Sequence, residues 1–145
     1  MTVTKPFFWK SILSGAAILV SPLWAHAQGI DIGKQIYETH CAVCHAVDGK
    51  GSGPFAGLIT QRVPDLTILE KSNNGVFPFN RVYDVIDGRE EVKLHGPRDM
   101  PIWGNYFNEQ APDMTGPEGT QADYTSFVRG RILALVGYVY TLQAK

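Results

Sequence analysis

Two cysteines, Cys41 and Cys44, are all that the 145 residues contain. That is too few for a disulfide-built scaffold, and a bridge across two intervening residues would close too small a loop to stabilise much. Basic residues are in no excess either. The chain has 13 Lys and Arg against 14 Asp and Glu, so the basic face that nucleic acid requires is missing. Internal repeats and low-complexity tracts are absent. The apolar run 11-SILSGAAILVSPLWA-25 is short for a bilayer span and is broken by serines and Pro22.

What is present begins at that run. Lys5 and Lys10 precede it, and the small residues of 25-AHA-27 close it. A basic start, an apolar core and an A-x-A exit make a secretory signal peptide. Residues 1–27 are therefore expected to be cleaved off between Ala27 and Gln28, delivering the chain to the periplasm without a stable membrane anchor. An uncleaved N-terminal anchor is the alternative reading. No cysteine lies near the cleavage site, which excludes a lipoprotein. Residues 28–145 suit one domain. Loss of Lys5 and Lys10 leaves 11 basic residues against 14 acidic ones, a formal charge of −3.

Both cysteines fall in 41-CAVCH-45, and three chemistries use such a pair. A redox dithiol wants a strand leading into the motif within a βαβ frame. The preceding 30-IDIGKQIYETH-40 instead spaces Ile32, Ile36 and Tyr37 as a helix does. A zinc site wants two further Cys or His ligands, and only His40, His45 and His95 remain after the signal peptide, in no regular spacing. Cys-x-x-Cys-His is also the motif for covalent haem c attachment. One helical turn brings Cys41 and Cys44 to the two vinyl groups, and His45 then presents its imidazole to the iron. Export and this motif support each other, because in bacteria attachment takes place outside the cytoplasm.

A second axial ligand has few candidates. His40 adjoins Cys41 and cannot reach across the iron. Met114 lies in the polar, Pro/Gly-rich 109-EQAPDMTGPEGTQ-121, which reads as a surface insertion. Met100 sits in 95-HGPRDMPIWG-104, stiffened by Pro101, and His95 shares that segment.

The chain resembles the class I, Met/His-ligated cytochromes c of the bacterial periplasm. Gly33, Tyr37 and Cys41 match the family's Gly-xxx-aromatic-xxx-Cys spacing, with the glycine admitting a close helix crossing. The loop 49-GKGSGP-54 resembles the one that supplies a proline carbonyl to the proximal histidine, a role that would fall to Pro54. The stretch 132-ILALVGYVYTLQ-143 resembles the final helix, with Gly137 and Tyr138 at the crossing. The resemblance implies His45 and Met100 as the iron ligands, with His95 as a departure from the pattern.

A coarse reading gives an all-α cytochrome c fold of short helices and long loops around one covalent haem. Helices are expected over about Asp31–Cys44, Asp65–Lys71 (capped by Asp65), Asn80–Ile86 and Trp103–Phe107, then from the capping-box-like 120-TQAD-123 to about Leu142. The last would turn Phe127, Ile132, Leu135, Val136 and Val139 inward. Buried propionates need neutralising or hydrogen-bonding groups. Arg62, Arg98 and the Trp103 indole are candidates, Trp103 having core packing as its plainer role. Met/His ligation leaves no open position on the iron, so the expected function is non-enzymatic: single-electron carriage between redox proteins, from a dehydrogenase or cytochrome complex to an oxidase or reductase. The alternative is a haem subunit bound permanently to a periplasmic dehydrogenase.

Overall fold

The computed structural model describes residues 25–59, 62–90 and 102–145, with side chains described from Ile30 onward. Most of the expected signal peptide lies outside these residues, and so do His95, Arg98 and Met100. The described chain is helical, without strands among the described residues. Its helices are α1 (Ala25–Ile36), α2 (Ala42–His45), α3 (Leu69–Ser72), α4 (Phe79–Asp87), α5 (Trp103–Thr115) and α6 (Gln121–Thr141).

α1 and α2 form one rod interrupted by a π turn at Tyr37–Cys41, where the Ala42 N–H reaches back to the Tyr37 carbonyl. The sequence reading expected a single regular helix from Asp31. The structure starts it at Ala25 and widens it immediately before the cysteine motif. Such wide turns insert one residue into a helix and recur at functional sites. Here Tyr37 and Cys41 line the same cleft, while the His40 ring packs against α5.

α1 and α6 touch backbone to backbone. A Cβ on Gly33 would fall 2.0 Å from the Ala134 carbonyl oxygen and 3.1 Å from Tyr138 Cβ, so only glycine admits this crossing. Tyr37 then stacks on Tyr138 with ring centroids 5.1 Å apart. Gly137, expected at the same crossing, has open space around it. Helical phase explains this: Ala134 and Tyr138 lie one turn apart on the contacting face, and Gly137 sits about a quarter of a turn away. Ile132, Leu135, Val136 and Val139 fill the core with Ile36, Ile86 and Phe107, while Phe127 is half-buried.

The helix ends follow local chemistry. Thr120 and Asp123 make a reciprocal capping box at the start of α6. Asp65 accepts from the Thr67 N–H at 2.8 Å, heading the short turn Leu66–Ile68 that leads into α3. These hydrogen bonds hold both carboxyls below the usual carboxylate range. Gly88, in the left-handed region at φ +84°, ends α4. α5 overruns its expected end at Phe107 and continues through Pro112 to Thr115. Its inner face explains this: Phe107 and Ala111 are buried, and that packing outweighs the hydrogen bond lost at an exposed proline. The segment read as a surface insertion is thus partly helix, and Met114 on it is exposed.

Gly33→Ala should destabilise the protein by about 3 kcal/mol, because the neighbour that must yield is backbone. Chemical denaturation of the two proteins would measure this as a lower transition midpoint.

Candidate haem-binding site

α2 ends on His45, and its last carbonyls are taken up by the loop that follows. Phe55 N–H donates to the Val43 carbonyl at 2.9 Å, Gly53 N–H to Cys44 at 3.0 Å and Gly51 N–H to His45 at 2.9 Å. These bonds satisfy acceptors that any helix C-terminus leaves open. Two of the donors have to be glycine. A Cβ at Gly53 would lie 2.5 Å from the Val43 oxygen, and one at Gly51 2.4 Å from the Val63 oxygen.

The contact at Gly51 brings in the segment that orients His45. Val63 and Pro64 cross directly over Gly51, and the Pro64 carbonyl faces His45 Nδ1 at 3.4 Å. This corrects the expectation that Pro54 would fill that role. Pro54 is exposed and belongs to the stretch whose neighbours cap α2, whereas the chain returns past residue 62 with Pro64 on the histidine's side. A signal existed in the sequence: Pro64 stands directly before Asp65, the cap of the next helical segment.

Beside His45 lies a cleft of about 290 Å³. Cys41, His45 and Tyr37 form one wall. Leu66, Leu69, Val82, Val85, Ile86, Leu135 and Val139 supply apolar surface from α3, the turn before it, α4 and α6, and Arg62, Pro64 and Arg81 complete the lining. Arg62 therefore stands where the sequence reading wanted a propionate partner. Arg81 was not anticipated, although it precedes Val82 and falls one turn before Val85 on the same helix. It also pairs with Glu90, Nε to Oε1, at 3.0 Å. Trp103 does not line the cleft. Its indole packs in an aromatic cluster with His40, Tyr106 and Phe107, because α5 meets the outer side of the α1 rod there. Arg98 and Met100 lie outside the described residues.

The thiols are free in the structure. Burial, with Cys44 nearby, pushes the Cys41 thiol up to about 12. A reactive dithiol shows the opposite shift, since it depends on a stabilised thiolate. Among the described residues no group of three or more His, Cys, Asp or Glu is placed to hold a metal ion. Two thiols one helical turn apart, an oriented imidazole, an apolar cleft and guanidinium groups lining it fit a haem joined through thioethers.

The geometry is that of a helical protein with an apolar cleft open beside its cysteine–histidine motif. A family model described as Cytochrome c matches residues 30–123, and the chain belongs to that family. Comparisons with curated proteins and with solved structures return no match. Membership of this family implies a covalent haem c, and Cys41 and Cys44 are spaced as in a CxxCH haem-binding motif.

One residue of the site is strained. Ala46, directly after His45, has φ 61° and ψ 163°, a region that is nearly glycine-only. Its carbonyl accepts from Tyr37 Oη at 2.8 Å and its N–H donates to Ala42 at 2.9 Å, which holds it there. Relief of roughly 1–3 kcal/mol of strain outweighs the 0.5–1 kcal/mol entropic cost of glycine. Ala46→Gly should therefore stabilise the protein by about 1 kcal/mol, read as a higher thermal midpoint with unchanged haem content.

Proposed function

We propose that this chain is an exported single-electron carrier of the class I type, with His45 and Met100 as the axial ligands. When bound, the haem supplies a one-electron couple whose potential depends on its ligands and surroundings. The chain's own residues hold it. Cys41 and Cys44 anchor it, His45 is aimed by the Pro64 carbonyl, and the walls formed by Val82, Ile86, Leu135 and Val139 exclude water. Arg62 and Arg81 are the groups available to offset propionate charge. The observation that carries this reading is the apolar cleft with Cys41 and His45 on one wall. Periplasmic location rests on the leader sequence, and no helix among the described residues is long and apolar enough to cross a membrane.

Permanent assembly with a dehydrogenase is the second reading. It is favoured by the apolar side chains on the loop after the motif: Phe55 and Leu58 are 55% and 79% exposed, and Val47 62%. A lasting interface would cover such surface.

A far-red absorption band of the ferric protein reports a thioether–iron bond. The band should be present at neutral pH and absent from Met100→Ala, and its survival in that variant would overturn the ligand assignment. Purification from native cells separates the two functional readings, since a carrier elutes alone and a subunit with a larger protein.

A further inference from the structure

The segment that follows the residue facing His45 is held by Gln143 and Ala144. Gln143 follows α6, and its side chain makes three hydrogen bonds. Nε2 donates to the Leu66 carbonyl at 2.7 Å and to the Val139 carbonyl at 2.9 Å, while Oε1 accepts from the Glu70 N–H at 2.9 Å. The next residue adds a backbone bond, Ala144 N–H to Thr67 O at 2.8 Å. Together they pin the segment from Leu66 to Glu70 against the end of α6. Leu66 in turn donates its N–H to the Gly49 carbonyl at 2.7 Å, and two residues before it comes Pro64, whose carbonyl faces His45 Nδ1.

We propose that Gln143 is a positioning residue for the haem iron. It sets the donor strength of His45 by holding the Pro64 carbonyl at Nδ1. The inference rests on His45 being the proximal ligand. A carbonyl accepting from Nδ1–H makes an imidazole a stronger donor, and a stronger donor favours the ferric state. Gln143 touches neither haem nor histidine, so its effect travels through the strap 64–70. It lies beyond residues 30–123, the part of the chain that the family model matches.

Gln143→Glu is the informative change. It preserves shape and the acceptor for Glu70 N–H, but it turns the donor facing the Leu66 and Val139 carbonyls into a third acceptor. Gln143→Leu removes all three bonds. In both variants the holoprotein should keep its haem content and low-spin spectrum, while its reduction potential moves to more positive values. The His45 Nδ1 proton should also exchange faster with solvent. Thr120→Ala serves as a stability control. Loss of that helix cap lowers the thermal midpoint and should leave the potential where it is.

An unchanged potential and an unchanged Nδ1 proton in both Gln143 variants, with Glu70 N–H losing its exchange protection in Gln143→Leu, would overturn the inference. A potential shift of equal size in Thr120→Ala would do the same, by showing that general loosening suffices. If a Gln143 variant does not fold, the milder Gln143→Asn, which keeps the amide but shortens its reach, gives the same readouts. A wild-type holoprotein whose spectrum does not change on His45→Ala would remove the underlying ligand assignment instead, an outcome distinct from the other two.

Discussion

A helix that stops at a histidine leaves its last carbonyls open just where that side chain is to be aimed. In this protein the Val43, Cys44 and His45 carbonyls are each met by an N–H from the loop 51–55. That capture depends on glycine at 51 and 53, where any side chain would strike backbone. It also forces a strained alanine at 46, held by the Tyr37 hydroxyl. Once the loop is in place, Val63 and Pro64 have one route past Gly51, and that route fixes the imidazole. The cleft, its apolar walls and the return of the chain to α3 all follow from how one short helix ends.

The same dependence explains what could be read in the sequence and what could not. Features governed by neighbours within one turn were legible: the Thr120–Asp123 box, the Asp65 cap and the cysteine–histidine spacing. Gly33 was legible by family likeness, since its spacing to Tyr37 and Cys41 is short and regular. Pro54 and Pro64 both follow a glycine-rich loop, and choosing between them requires the path of the chain over Gly51, a tertiary fact. The Pro/Gly-rich segment 109–121 read as a surface insertion, but buried Phe107 and Ala111 carried α5 into it as far as Thr115. The π turn left no sequence signature beyond the motif it precedes.

Charge and burial divide the two sides of the site. Inside, apolar walls flank Cys41 and leave little for polar solvent to grip. Arg62 and Arg81 are exposed, and Arg81 is already paired with Glu90. An acidic chain thus places positive groups beside an apolar slot, an arrangement that suits a ligand with a large flat apolar body and an anionic edge. His40 adjoins Cys41 in sequence yet is spent on Trp103 and Tyr106, with Tyr106 Oη 3.4 Å from its Nε2. It braces α1 against α5.

The chain's last residues are architecture. Ala144 is bonded to Thr67 and Gln143 to Leu66, Glu70 and Val139, so ordered structure reaches to within one residue of Lys145. A purification handle fused directly after Lys145 would tug on the strap beside the histidine. Several glycine and serine residues placed between them would act as a flexible spacer and decouple the handle from the fold.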